Sequence, residues 1–268
     1  MEKLFKTISL PLPAIGDALW ATPVCYLCNA TIELPDNNFG KKVAALFDGI
    51  AYSVVFKQQH EMASFNNPQN SRHTTHDSFE KLGLTGSIIP KINISSQEYE
   101  WAKSFLKSYN NPIAIINDNS GCSDKNNWCA NVIRPPTELV QSICDYLVQK
   151  NHTMLQFGVS NGFYGDGRKM FTPLTGAIPI LDLTLRQMAA CYKVIGKIIT
   201  GETGHPHLMA AVGGKVVDIV PDYVKHGINL GKSIFTNEDW LPEKPRIKYV
   251  CYENFSQNYL KEILDFNF

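Results

Sequence analysis

A short segment containing glycine and histidine, GETGHPHLMAA at 201–211, has the arrangement of an anion-binding loop. It follows an apolar run that ends at Thr200 and leads straight into helix-forming residues. The first N–H groups of a helix lack partners within it, and the helix dipole adds positive charge there. Thr203 and Gly204 are therefore predicted to face a phosphate, and His207, one turn later, could add a donor. A Thr in this position is equally typical of an ordinary helix cap, so both interpretations stay open.

A second polar segment, PIAIINDNSGCSDKNNW at 112–128, lies where a predicted strand ends. The strand runs into a Ser120–Gly121 turn, and the chain then reaches Lys125. Ligands of α/β proteins bind at the carboxyl ends of strands, so this loop is a candidate for holding them. Lys125 could neutralise a diphosphate, although a single loop lysine is more often simply solvated.

A carboxylate stands at the start of another predicted helix, in IGDALWATPV at 15–24. Asp17 directly follows Gly16, so it fits either a helix cap or a general base facing a cleft. Pro23 lacks an N–H and predicts a kink inside that helix. The segment GVSNGFYGDGR at 158–168 is rich in glycine but lacks the GxGxxG spacing of a nucleotide loop, so it is predicted to be a flexible loop.

The seven cysteines are odd in number and scattered along the chain. Cys25 and Cys28 form a CxxC pair, but no second pair follows it. The pattern favours structural thiols, with metal or redox use as the less favoured alternative. No metal and no cofactor are expected.

Apolar runs of β type alternate with stretches of helical periodicity along the chain. Strands are predicted at 4–12, 43–47, 52–56, 112–116, 153–157, 194–200 and 215–220, and helices at 18–28, 96–109, 137–149, 185–191 and 207–212. This alternation indicates parallel sheets built from βαβ units. A break at Asn110–Pro112 predicts one domain at 1–110 and a second at 111–252, with a helix at 253–268 packing back across the pair.

Composition limits what this chain of 268 residues can bind. Lys and Arg together number 25, as do Asp and Glu, so the formal net charge is zero. That balance argues against binding of nucleic acid or an anionic membrane through the net charge of the whole chain. No apolar run approaches the roughly 18–20 residues of a membrane span, and the N-terminus does not have the pattern of a signal peptide. A cytoplasmic protein without integral membrane contact is expected.

Four motifs in this order resemble those of glycosyltransferase family 9, the ADP-heptose:lipopolysaccharide heptosyltransferases. The family's opening GD-x-x-x-x-TP motif is similar to Gly16–Asp17 and Thr22–Pro23, and its mid-chain strand, turn and K-x-x-W are similar to 113–128. Its L-x-x-L/M-A helix resembles 180–191. Its final motif, G-x-DTG-x-x-HLAAA-x-G, resembles 201–213, which keeps Thr203, Gly204, His207, Leu208, Ala210, Ala211 and Gly213. The likeness covers nearly the whole chain, more firmly in its second half.

This resemblance implies a GT-B fold, in which two Rossmann-like α/β domains with parallel sheets face an interdomain cleft. It implies that the C-terminal domain holds most of the donor, and we expect an inverting transfer of a sugar from a nucleotide-diphosphate sugar to an acceptor hydroxyl. No metal is needed if Lys125 and the helix terminus stabilise the diphosphate. The family's proposed base falls on Asp17. The candidate donor-binding residues are then Ser120, Gly121, Lys125, Asp166, Glu202, Thr203, Gly204 and His207.

The sequence also departs from the family pattern. The aspartate before Thr-Gly is replaced by Glu202, and only Asp166 offers itself as the acidic partner of a ribose. The N-terminal half looks shorter than is usual in the family. The acceptor therefore stays open between a glycan of lipopolysaccharide type and a modified base in DNA. A protein that binds a nucleotide sugar without catalysis is the alternative from another class.

Overall fold

A computed structural model of the chain contains two parallel β-sheets with helices between and around their strands. It describes residues 7–10, 15–58, 85–86, 89–117, 135–161, 171–201, 203–222, 246–254, 260–261 and 263, with Asp17 described in its backbone alone. The predicted α/β class with parallel sheets is confirmed.

The first sheet has three strands in the order β1-β2-β3, all parallel. They are β1 (Thr7–Ser9), β2 (Thr31–Pro35) and β3 (Ser53–Lys57). Helix α1 (Ile15–Cys28) connects the first two strands, and α2 (Asn38–Ala44), continued by a 3₁₀ turn at Ala45–Phe47, connects the second pair.

The second sheet has six parallel strands in the order β6-β5-β4-β7-β8-β9. Its strands are β4 (Pro112–Ile115), β5 (Thr153–Gly158), β6 (Ile178–Leu181), β7 (Lys197–Gly201), β8 (Lys215–Val220) and β9 (Ile247–Cys251). The accompanying helices are α3 (Ser96–Leu106), α4 (Thr137–Gln149), α5 (Leu185–Ile195) and α6 (Gly204–Ala211). The chain builds outward from β4 to β6, then returns to the other side of β4 to add β7, β8 and β9.

Local sequence signals explain where these helices start and end. Helices α3 and α5 each begin with a capping box, Ser95 with Glu98 and Thr184 with Gln187. Helix α5 ends at Gly196, whose φ of 73° lies in the left-handed region that glycine adopts without strain.

The helices pack on one another, first across the two sheets and then within the second one. Helix α1 lies against α6, and α3 lies against α5. One buried apolar cluster joins them, with Leu19 and Val24 from α1, Tyr192 from α5 and Leu208 from α6 among its members. A second cluster covers the opposite face of the six-stranded sheet and includes Ile263 near the C-terminus. Burial on both faces accounts for the apolar character of the central strands.

Some predicted elements differ from the structure. The strand predicted at 43–47 is wrong, because these residues belong to α2 and its 3₁₀ turn. Asn37 starts that helix by accepting a hydrogen bond from Gly40 N–H at 2.8 Å. The sequence analysis overlooked β2, β6 and β9. Among the described residues, no helix has the length and apolar character needed to cross a membrane.

Candidate functional site

The order of the six-stranded sheet creates a crevice between β4 and β7. Strands β5 and β6 are added on one side of this boundary, and β8 and β9 on the other. Ligands of open parallel sheets bind at such a switch point, at the carboxyl ends of the strands. The order corresponds to that of dinucleotide-binding Rossmann folds, with β4 as the first strand.

The loops that leave β4 and β7 contain two of the predicted motifs. Ile116 N–H donates to Ile199 O at 2.9 Å, which extends the pairing of the strands to the start of the β4 loop. Asn117 follows and is only 5% exposed, and its Nδ2 donates to Thr172 O at 3.5 Å. The sequence analysis did not single out Asn117, although a buried amide directly after a strand is a signal for it.

The β4 loop returns to the same place before α4 begins. A Cβ on Gly201 would lie 2.6 Å from Pro135 Cδ, so the glycine allows the returning chain to pass against the end of β7. Both ends of the loop that holds Ser120, Gly121 and Lys125 therefore lie near the crevice.

Helix α6 begins immediately after β7, as the motif predicts. The Thr203 hydroxyl accepts a hydrogen bond from His205 N–H at 3.1 Å, so Thr203 is the N-cap. Pro206 occupies the first turn, where a missing N–H costs no helical hydrogen bond. Within the described part of the chain, no residue accepts from Gly204 N–H. That amide and the helix dipole are the features that could meet an anion.

The start of α1 lies against the start of α6. A Cβ on Gly204 would lie 2.7 Å from Ile15 Cβ, and one on Gly16 would lie 3.1 Å from His207 Cδ2. The His207 ring also meets Trp20 edge to face, with 4.9 Å between the ring centroids. Glycine in both helices permits this close approach. The structure thus brings together two motifs that are almost 190 residues apart in sequence.

The buried Tyr192 of α5 and the half-buried His205 of α6 form a pair between the two helices. The Tyr192 hydroxyl lies 2.8 Å from His205 Nδ1, and Phe157 meets the Tyr192 ring edge to face. Burial lowers the pKa of His205 to about 4, because the charged imidazolium would lose its hydration. Burial raises the pKa of Tyr192 well above its usual value. Both side chains are therefore neutral at pH 7.

A further carboxylate lies after β6, at the carboxyl edge of the sheet. Asp182 accepts from the N–H of Ser160 at 2.9 Å and from its hydroxyl at 2.5 Å. These bonds to Ser160 lower the pKa of Asp182. They tie the loop after β5 to the loop after β6. The sequence analysis overlooked Asp182, because the pairing joins segments 22 positions apart.

The predicted site is only partly covered by the described residues. Thr203, Gly204 and His207 are described, and the backbone of Asp17 lies in the first turn of α1 beside them. The remaining candidates lie outside the described residues: Ser120, Gly121, Lys125, Asp166 and Glu202.

The CxxC pair lies in the last turn of α1, at the opposite end of that helix from Gly16. Cys25 is buried, and burial raises the pKa of its thiol far above the usual value. A protonated, buried thiol packs as a small apolar group. In the described ranges, no three His, Cys, Asp or Glu side chains gather as a metal would require.

Comparison with known proteins identifies the fold. No protein-family model and no curated protein matches the sequence. A glycosyltransferase family 9 structure from Veillonella parvula has a TM-score of 0.62 at 14% identity, over 99% of each chain. The Escherichia coli heptosyltransferase WaaC with ADP has a TM-score of 0.54 at 9% identity, over 98% of each chain. E. coli ADP-heptose lipopolysaccharide heptosyltransferase II has a TM-score of 0.50 at 11% identity, over 97% of this chain and 98% of its own.

These structures confirm, at the level of the fold, the resemblance to family 9 that the four motifs indicate. The alignments run over nearly the full length of each neighbour.

Proposed function

We propose that the chain is an inverting glycosyltransferase that moves a sugar from a nucleotide-diphosphate sugar to an acceptor hydroxyl. Two Rossmann-like domains of GT-B type, at 1–110 and 111–252, would face a cleft at the α1–α6 contact, with the helix at 253–268 packing back across them. The fold neighbours act as glycosyltransferases, and one was solved with ADP, which supports a nucleotide as the donor's carrier.

The contact between α1 and α6 is the observation that carries this proposal. The helix that bears Asp17 starts against Gly204, at the end of α6 where an anion would bind. A glycosyltransferase needs a general base on one side of the transferred sugar, to take the proton of the acceptor hydroxyl. On the other side it needs groups that stabilise the negative charge of the leaving diphosphate. The meeting of two helix starts provides both positions.

In the proposed reaction, the acceptor hydroxyl gives its proton to the Asp17 carboxylate. Its oxygen forms a bond to the anomeric carbon as the bond from that carbon to the diphosphate oxygen breaks. The electron pair leaves with the diphosphate, and attack from the opposite face inverts the anomeric centre. Lys125, Gly204 N–H and the dipole of α6 would stabilise the departing negative charge.

The other candidate residues would bind the rest of the donor. Ser120 and Gly121 would line the phosphate side of the β4 loop, Asp166 would contact the ribose and Glu202 the transferred sugar. His207 would add a donor at the first turn of α6. Asp182 is added to this set, because it stands at the same edge of the sheet as the loop that contains Asp166.

The first test is a thermal-shift screen of nucleoside diphosphates and their sugars with the purified protein. A ligand at 100 times its dissociation constant adds about 2.7 kcal/mol of stability. We expect a nucleoside diphosphate to stabilise the protein. We also expect the protein to hydrolyse the corresponding nucleotide sugar slowly when no acceptor is present. Binding with no turnover under any acceptor would instead indicate a non-catalytic binding protein. A salt-dependent gel shift, in which the protein binds DNA that contains a modified base, would indicate the DNA acceptor.

The second test separates catalysis from folding at Asp17. Asp17→Asn keeps the size of the side chain and can still accept a hydrogen bond, so the melting temperature and donor affinity should be unchanged. Turnover should fall by about 10²–10⁴, as is typical when a general base is removed. The matched control is Asp36→Asn, since Asp36 pairs with Lys41 at 2.9 Å on the surface of the first sheet's unit. Normal turnover of Asp17→Asn would show that Asp17 only caps α1.

A further inference from the structure

The far end of α6 opens into a small pocket with three cationic side chains. Lys91, Lys193 and Arg246 line it together with Gly213 and the last residues of α6, around a volume of about 200 Å³. No carboxylate belongs to the described lining. Elsewhere in the described ranges, no Asp or Glu forms an ion pair with any of the three.

The helix end does not require these cations as caps. Gly213 N–H donates to Ala210 O at 3.0 Å and Gly214 N–H to Met209 O at 2.9 Å, which together form a Schellman motif. Ile92 N–H donates to Ala211 O at 3.3 Å. The backbone thus satisfies these final carbonyls.

The cations add bonds to this end and retain further donors. Lys193 Nζ donates to Val212 O at 2.9 Å, and Arg246 Nη1 donates to Ala210 O at 3.2 Å. An ammonium group has three N–H donors and a guanidinium has five, so most of them are left for another acceptor.

Gly213 shapes the pocket by its lack of a side chain. Its φ is +93°, and a Cβ there would lie 2.9 Å from Arg246 Nη1 and 3.7 Å from Lys193 Nζ. The two positive groups therefore converge on one point. Lys91 is a third lining residue, and its ammonium lies 5.1 Å from the centroid of the Tyr26 ring. The convergence of the Lys193 and Arg246 charges favours an anion between them.

We propose that this pocket is a binding site for a phosphate group, either inorganic phosphate or a phosphate ester. The Lys193 ammonium and the Arg246 guanidinium fork, with Lys91 also in the lining, suit a tetrahedral dianion with several acceptor oxygens. The site is separate from the proposed donor site, because it lies at the opposite end of α6, about 12 Å along the helix. It does not depend on the proposed function.

The test measures binding of inorganic phosphate to the full chain by calorimetry, at an ionic strength held constant with chloride. Arg246→Gln and Lys193→Gln should each weaken binding about tenfold, since each removes a charge-assisted bond. Lys91→Gln should weaken it as well, and this variant breaks no bond to α6. The matched control is Lys41→Gln, whose ammonium pairs with Asp36 at 2.9 Å beside the first sheet.

A second arm uses glycerol 3-phosphate to separate the two sources of phosphate. Tighter binding of the ester would indicate a phosphorylated ligand, and equal binding would indicate the free ion. The three pocket variants should keep the stabilisation by a nucleoside diphosphate that the wild type shows in the thermal-shift screen, so that failure of the donor site and failure of this site are distinguishable. The proposal is overturned if phosphate binds no better than chloride, or if the three pocket variants bind it as the wild type does.

Discussion

Two side chains at the start of α6 act on the helix itself. The Thr203 hydroxyl caps it, and the His205 ring is bound from below by Tyr192. The cap could be predicted from the motif, because capping depends on a few consecutive residues. The Tyr192–His205 pair could not, because it depends on how α5 and α6 pack. These two hydrogen bonds hold the first turn of α6 in place beside α1.

The neutral state of His205 predicts a dependence of stability on pH. Its pKa is about 4 in the folded chain and about 6.5 when unfolded, so the unfolded state binds more protons between these values. The free energy of unfolding should therefore fall as the pH drops from 6.5 toward 4. We expect a loss of about 2–3 kcal/mol between pH 7 and 4.5, measured by urea unfolding.

The variant His205→Gln tests the assignment of that slope. Glutamine cannot titrate, so its stability should change much less over the same interval. His152→Gln is the comparison variant: His152 is half-buried beside Asn111 and burial lowers its pKa too, but by less than that of His205, so this variant should remove the smaller part of the slope. An undiminished slope in His205→Gln would assign the titration to another group.

At the scale of an element, helix α1 tolerates its internal proline because the preceding residue, Thr22, replaces the hydrogen bond that Pro23 cannot make. Pro23 has no N–H to donate to Leu19 O, four positions earlier. The Thr22 hydroxyl donates to that carbonyl at 2.6 Å and accepts from Lys91 N–H at 3.0 Å. Thr22 is fully buried, so neither bond could be replaced by water. The Thr-Pro pair thus keeps α1 intact and attaches it to the segment that leads to α3.

The double role of Thr22 predicts a coupling with Pro23. Thr22→Val keeps the shape but leaves the Leu19 carbonyl and Lys91 N–H unsatisfied, which should cost about 1–3 kcal/mol of stability. In a Pro23→Ala background the new N–H can reach Leu19 O, so the same substitution should cost less. Urea unfolding of the four proteins of this cycle measures the difference. Thr31→Val, which removes a hydroxyl contact to Ser53, is the control. Additive effects of the two changes would show that the hydroxyl does not replace the missing bond.

The elements that the sequence predicted well are those with strong local signals. Helix α4 and strand β8 have the predicted bounds, because amphipathic spacing and a β-branched run are visible within single segments. The segment at 43–47 misled the analysis, because its apolar residues fit a strand as well as a helix and only the Asn37 cap decides between them. The contact between α1 and α6 required the family motifs, since no local pattern relates Gly16 to Gly204.

At the scale of the whole molecule, Arg186 joins the two sheets. Its Nε donates to Glu98 Oε1 at 2.7 Å and its Nη2 to Glu98 Oε2 at 2.5 Å, which links α5 to α3. Nη2 also reaches Asn93 O at 2.7 Å, and Nη1 reaches Ala45 O at 3.4 Å in the turn that follows α2. The Arg186 bonds lower the pKa of Glu98 to about 2. One side chain thus connects the second sheet's helix layer to the first sheet.

Loss of Arg186 should weaken the whole molecule and not one element. The side chains of Arg186 and Glu98 are only 16% and 28% exposed, so Arg186→Met would leave a partly buried carboxylate without its partner. We expect a loss of about 1–3 kcal/mol, below the cost of breaking a fully buried pair because water still reaches Glu98. Glu98→Gln should cost less, since glutamine also serves at the third position of a capping box and Arg186 keeps its carbonyl partners.

If Arg186 joins the sheets, Arg186→Met should also broaden the thermal transition or split it in two in calorimetry, while Lys103→Gln on the outer side of α3 leaves a single transition. A sharp single transition with unchanged midpoint in Arg186→Met would show that the α1–α6 packing holds the two sheets together without it.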